Sequence, residues 1–389
     1  MAEPTWHYLD HAATSPMRPE ALAAMVPLLG GELGNPSGAH ALARAARGHL
    51  DDARADLADV VGCEPGEVVF TSGGTEADNL AVRGVLAAGG RALCAATEHH
   101  AVLHPVQASG GAVVAVDARG VIDLDALADA LTDDVRLVSV MLVNNEVGTV
   151  QPLAAVAEVV RGRAPQALLH TDAAQALTWL DLREHAAVAD LVTLASHKCG
   201  GPVGTGALVV RSGVSLAAQL LGVGQERERR SGTQDAAGAA AFAAAARAAH
   251  DGRADLVARV AAWRQALVAA IRAGVPGARE SAVPAGADPT HLVPGILNVC
   301  LPAVDSEALL FLLEHDHRVL ASAASSCASG AQEPSHVLAA LGIDRATAAG
   351  SLRLSLGWSS TQADVDAAGA GVVDAATRLQ AHARDGAPA

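Results

Sequence analysis

Up to about residue 250, short apolar runs alternate with helix-length amphipathic segments, and that alternation leaves few folds open. Strands that come singly, each followed by a helical pattern, assemble into a parallel sheet through crossover helices. The candidate strands are Glu67–Phe70, Arg91–Ala95, Ala112–Val116, Val135–Val143, Ala167–His170, Asp190–Leu194 and Gly206–Val210. Helical spacing puts Ala77, Leu80, Ala81 and Val85 on one face, and Leu256, Val260, Trp263, Leu267 and Ile271 on one stripe of a later, longer helix. A stretch rich in Gly, Pro, Ala and Ser, 276–289, then breaks the pattern, after which strand, helix and strand recur. The chain therefore reads as α/β to about His250 and as a smaller α+β unit beyond it, with the first dozen residues packed onto the smaller unit. The tail after about His382 has no apolar pattern and is expected to be unstructured.

Bulk properties exclude several classes. Hydrophobic residues make up 51% and mean hydropathy is +0.27, yet no run of about 18 apolar residues lacks charges or turn formers, so no membrane helix is expected. Residues Met1–His7 show no basic stretch leading into an apolar one, which predicts a soluble, cytoplasmic protein. A net charge of -15 argues against direct nucleic-acid binding. The five cysteines, Cys63, Cys94, Cys199, Cys300 and Cys327, are odd in number and form no CxxC pair, against a disulfide framework or a zinc ribbon. Cys94 and Cys300 sit in apolar strand patterns and read as core.

Lysine occurs once, at Lys198, although Lys and Arg total 27. Arginine replaces lysine as a cation but not as a nucleophilic amine, so this position points to covalent chemistry, above all a Schiff base with a carbonyl cofactor such as pyridoxal phosphate (PLP). Three further features follow strands. Thr71–Glu76 is a glycine turn leading into a helix N-terminus, a phosphate cradle. Asp172 stands at a strand end, where a carboxylate faces the ligand crevice and pairs with a pyridinium nitrogen, or else serves as a helix N-cap. His99, also after a strand, can stack on a planar cofactor and shuttle protons. His100 and His104 share the i, i+4 spacing of metal ligands, but no third ligand is nearby, so no metal is expected.

Together these segments resemble the NifS/IscS-like cysteine desulfurases, class V and fold-type I PLP enzymes. The likeness runs from Tyr8–Thr14 to Ser351–Gly357 through Gly34–Ser37, Thr71–Leu80, Glu98–Leu103, Asn144–Thr149, Asp172–Ala176, His197-Lys198, Arg230–Thr233 and Glu333–Leu338. It implies an α/β fold-type I transferase with a mostly parallel seven-stranded sheet flanked by helices, a large PLP-binding domain over 13–250, and a small domain from 1–12 and 251–389. It implies that Lys198 bonds covalently to PLP, that Asp172 meets the pyridine nitrogen and Gln175 the phenolic oxygen, and that His99 stacks on the ring as acid and base. Gly74, Thr75, Ser196 and His197 would hold the phosphate, with Thr233 reaching in from the second subunit of a homodimer. Asn35, Asn145 and Arg353 would bind the substrate, Asn145 also touching the cofactor, and a guanidinium suits a carboxylate. Cys327, in a Ser/Ala/Gly-rich segment, would be the nucleophile that takes sulfur from L-cysteine, leaving alanine, and passes it to an acceptor protein for iron–sulfur assembly or nucleic-acid thio-modification. The alternative is a selenocysteine lyase or another class V lyase or aminotransferase. The chain departs from the family at Ala195 and Ser196, at Ala324, at Val203, and at Val223 and Glu228, which stand where glycines are usual; these changes suit a specialised branch such as the desulfurases of DNA phosphorothioation.

Overall fold

The computed structural model describes residues 6–30, 34–323 and 335–385. Strand β1 (His7–Tyr8) precedes β2 (Val68–Thr71), β3 (Arg91–Ala95), β4 (Ala112–Val114), β5 (Val135–Ser139), β6 (Leu168–Asp172), β7 (Leu191–Ala195) and β8 (Gly206–Val210). The last seven form one sheet in the order β2-β8-β7-β6-β5-β3-β4. Its pairings are parallel except those of β8, which runs antiparallel to both β2 and β7. Strands β6 and β7 pair His170 with Leu191 and Asp172 with Thr193. The sheet is almost wholly buried, which is why its strands read as continuous apolar runs and not as alternating ones.

A second sheet joins β9 (Arg279–Glu280), β10 (Ile296–Cys300) and β12 (Ser351–Ser355), while β11 (Val319–Leu320) pairs with β1. Asp10 bridges to Ser355, so the start of the chain is sewn onto the later sheet. The helix Arg253–Gly274 buries Leu256, Val260, Leu267 and Ile271, the stripe expected for it, and leaves Trp263 half-buried under Arg259. The helix Ala236–Asp251 is nearly all alanine on its buried sides, and so lies close against the helices Pro19–Gly30 and Ala41–Val61. The helix Gln362–Asp385 runs past His382, where exposed Ala381 and Ala383 continue it on helix propensity and not on an apolar stripe. No helix among the described residues is long and apolar enough to cross a membrane.

Strand β5 ends sooner than its apolar run. Beyond Ser139 the chain stays buried, but Met141 turns its N–H onto Glu98 Oε1 at 2.6 Å. A side-chain acceptor thus takes a ladder position.

Candidate active site

Five strand ends, those of β2, β3, β5, β6 and β7, deliver side chains to one cavity, at the carboxyl edge where open α/β sheets bind ligands. After β2, Gly73 adopts φ +143 and caps the helix Gly74–Leu86 with no side-chain bond, leaving amides of its first turn free. After β3 come Glu98 and His99. Strand β6 ends on Asp172, and β7 leads into a single 3-10 turn, Ser196–Lys198. The cavity, about 260 Å³, is lined by Gly74, Thr75, Asp78, His99, Met141, Asn145, Asp172, Ala174, Gln175, Ala195, His197 and Lys198.

The amine of Lys198 donates to the carbonyls of Ala12 and Ala13, both at 2.7 Å. Burial, and then the charge of Arg353, bring its pKa down to about 8, against the pull of Asp172 and Asp10. Gln175 Nε2 donates to the same Ala12 carbonyl at 2.7 Å, and His197 Nδ1 lies 3.1 Å from Thr14 Oγ1. Arg353 donates from Nη2 to Asp10 Oδ1 at 2.8 Å. The strap Asp10–Ser15 therefore touches four of the residues expected to form the site. Burial, then the charge of Lys198, lowers His197 to about 4, so its ring is neutral at physiological pH.

Asp172 accepts from Ala174 N at 2.8 Å, an Asx turn and not a helix cap. Burial raises its pKa, opposed by the Ala174 bond, His99 and Lys198. Beside it lies Asp78, whose buried Oδ1 has no hydrogen bond and faces His170 Nε2 at 3.7 Å. Burial first, then the charge of Asp172, push Asp78 far above the usual carboxylate range, and Thr193 bonds to it. Glu98 is likewise buried and raised, first by burial, with Oε2 unpartnered. Three carboxyl groups this close in a dry site do not all ionise. His170, bonded to Ser139 and Thr193, is pushed down by burial to about 3 and stays neutral.

His99 caps the helix His100–Ala108, its Nδ1 accepting from Ala101 N at 3.2 Å. A neutral ring so placed carries its proton on Nε2. The protein packed around it lowers its pKa, although the ring meets solvent through the cavity mouth. His100 lies between His104 and His336, with centroids at 4.7 and 4.6 Å and the rings tilted by 36° and 45°, yet among the described residues no three such groups are arranged to hold a metal ion.

Of the residues expected from the sequence, Gly74, Thr75, His99, Asn145, Asp172, Gln175, His197 and Lys198 meet in the cavity. Ser196 does not: the turn after β7 directs its Oγ onto Gly201, where it is buried and unpartnered. Arg353 lies beside the cavity, tied to Asp10 and, at 3.0 Å, to the Asn145 carbonyl. Asn35 is exposed on a turn, where its Oδ1 accepts from Ser37 N. Thr233 is exposed and does not line its own chain's cavity. Cys327 lies outside the described residues. Sequence reasoning missed Asp78, although a carboxylate on the apolar face of Ala77, Leu80 and Ala81, one turn below Gly74, was a visible signal.

An uncapped glycine helix terminus, a buried carboxylate and a lysine of depressed pKa make a donor set that fits a phosphorylated pyridine aldehyde: anion at the amides, ring nitrogen at Asp172, aldehyde at Lys198. The family model described as Aminotransferase class-V matches residues 7–368, and the chain belongs to that family. The IscS-like cysteine desulfurase of Mycobacterium tuberculosis is 42% identical over 376 residues, 93% of this chain and 94% of the relative. Among solved structures, a NifS-like protein superposes with a TM-score of 0.88 at 30% identity, covering 96% of this chain and 100% of the other. DndA from Streptomyces lividans gives 0.74 at 32% identity, covering 90% and 99%.

Proposed function

We propose that the protein is a PLP-dependent cysteine desulfurase that converts L-cysteine to L-alanine and hands the sulfur to an acceptor protein through Cys327. The observation that carries this reading is the convergence of the lone lysine, Asp172 and the uncapped glycine terminus in one cavity, in a chain 42% identical to an IscS-like desulfurase.

The amides of Gly74 and Thr75, with neutral His197, would hold the phosphate. Asp172 would face the ring nitrogen, whose positive charge offsets the burial that otherwise raises this carboxyl. Gln175 would turn its second amide proton to the phenolic oxygen. Bound there, PLP supplies an electron sink for charge developing at the substrate carbons. Lys198, with a pKa near 8, holds a useful fraction of free amine near neutrality and moves protons at Nζ. His99 presents Nε2–H to the site; accepting a proton there means surrendering the Ala101 cap, a cost of about 1 kcal/mol. Arg353 and Asn145 would bind the substrate's carboxylate end. In the sulfur transfer the Cβ–S bond of cysteine breaks, its electrons stay with carbon, which takes a proton, and the thiolate of Cys327 bonds the departing sulfur. The products are alanine and a Cys327 persulfide.

Residues 13–250 would form the large domain and 1–12 with 251–389 the small one. A homodimer is supported by apolar side chains left on the surface, Leu22, Val26 and Leu29 on one helix and Val203, Leu221 and Val223 on loops, and by Thr233, which is free to serve a neighbouring site. The described cysteines are all free thiols, which suits the cytoplasm.

Purified protein given PLP and cysteine should release alanine and gain the mass of sulfur at Cys327; no alanine overturns the reading. In Cys327→Ala, sulfur release from cysteine should vanish. If it persists, a lyase or aminotransferase of the same family is the better description.

A further inference from the structure

The guanidinium of Arg353, which the proposed function assigns to the substrate carboxylate, already holds a carboxylate. Its Nη2 donates to Asp10 Oδ1 at 2.8 Å and its Nη1 to the Asn145 carbonyl at 3.0 Å. Its Nε is buried with no partner, the one nitrogen of the fork left uncommitted. The pair is well shielded, with side-chain exposures of 9% for Arg353 and 20% for Asp10, so water screens it weakly. Asp10 cannot swing away freely. Its flanks are pinned by Ser355 N bonding to the Leu9 carbonyl at 2.7 Å, by Ala12 N bonding to Ser355 Oγ at 2.9 Å, and by Tyr8 Oη bonding to the Asp10 carbonyl at 3.1 Å. The second carboxyl near the guanidinium, Glu146, bonds Ser335 and is pushed up by burial to about 7.

We propose that Asp10 is an affinity-setting positioning residue: it fixes the Arg353 fork for the substrate carboxylate and, as a resident anion, makes a carboxylate alone too weak a ligand to occupy the site. An incoming carboxylate must share the guanidinium with a like charge. An amino acid would tolerate this because its amine gives it a second anchor where the cofactor would sit, beside Lys198. A simple carboxylic acid has no such anchor and is turned away. The resident anion thus lowers the affinity of every carboxylate by a similar factor, and a ligand held by its carboxylate alone is the first to fall below useful occupancy.

The inference rests on the Arg353 reading, and the test separates the two. In the PLP-loaded enzyme, propionate binding is titrated through the cofactor's visible absorbance for wild type, Asp10→Asn, Asp10→Ala, Arg353→Leu and the Asp10→Asn/Arg353→Leu pair. Asparagine keeps an oxygen for Nη2 and removes the charge. Propionate should bind Asp10→Asn about five- to tenfold tighter than wild type, the size expected for one partly screened charge a few ångströms away, and KM for cysteine should fall with it. Asp10→Ala loses the orienting bond and should gain less than Asp10→Asn. Propionate binding no tighter in Asp10→Asn than in wild type overturns the inference, provided the cofactor absorbance shows a loaded, folded enzyme. Tighter binding that survives Arg353→Leu overturns instead the placement of the carboxylate at Arg353. Failure of wild type to make alanine from cysteine would remove the proposed reaction but leave the propionate comparison readable.

Discussion

Replacing Arg54 by Met should cost about 3–5 kcal/mol of stability, because it strands a buried carboxylate. Glu226 has a side chain 0% exposed, facing Arg54 at 7%. The two make a bidentate pair, both bonds at 2.8 Å, and Glu226 also accepts from Phe70 N at 2.9 Å and Gln234 Nε2 at 2.8 Å. Arg54 further donates to the Val68 carbonyl and lies over the Phe70 ring. What this knot holds is an unusual backbone: Glu226, Arg227 and Glu228 have φ of 48, 55 and 64, three successive left-handed residues, none of them glycine. Left-handed geometry costs roughly 1–2 kcal/mol per residue with a Cβ, so the stored strain is of the same size as the anchor that opposes it. Without Arg54 the Glu226 carboxylate is still tied to Phe70 N and Gln234 Nε2, so the run should stay in place and no relief of its strain should offset the penalty. Burial pushes the Glu226 carboxyl up, but the Arg54 bonds outweigh it and hold the pKa below the usual glutamate range. A carboxyl depressed in the folded state stabilises above its unfolded pKa, and that stability is lost as pH falls through the folded value. Urea unfolding of the apoprotein, read as slope times midpoint shift, should show the full penalty for Arg54→Met at pH 7 and a smaller one below about pH 4. A penalty under about 1 kcal/mol at pH 7, or a gap that widens in acid, would refute the argument.

Glu228→Gly should raise stability by about 0.5–1 kcal/mol in the same assay, since relief of the left-handed geometry outweighs the extra chain entropy of glycine; a loss would mean that the Glu228 side chain makes a compensating bond. Lys198 gives a pH signature that one lysine makes legible. Burial depresses its folded pKa to about 8, so between about pH 8 and its unfolded value near 10.4 the unfolded apoprotein binds more protons, and stability should rise with pH. Lys198→Met should abolish that rise, and a wild-type-minus-variant curve flat across this window would contradict the burial of the amine.

The sequence displayed the sheet because its strands are buried on both faces: β3 and β8 begin and end where the apolar runs do. It did not display the direction of β8, which an apolar run cannot encode, nor the early end of β5, which depends on a distant glutamate taking the N–H of Met141. Asp172 and Lys198 were legible since the first ends a strand and the second follows one within a single turn. The carbonyls of Ala12 and Ala13 were not, because a backbone oxygen has no residue type to read. Ser196 was misplaced for a related reason: its neighbours in sequence line the cavity, but a single 3-10 turn rotates it onto Gly201.

The strap that holds Lys198 and Gln175 has a bearing on biosynthesis. Ala12 is tied to Ser355 and Asp10 to Arg353, each made 343 residues after its partner. Until strand β12 has left the ribosome, the strap lacks its anchor, and the lysine lacks the two carbonyls that receive its amine. A nascent chain can thus complete the seven-stranded sheet and still hold no finished site, so the lysine amine meets its two carbonyls in place only once strand β12 has joined the fold.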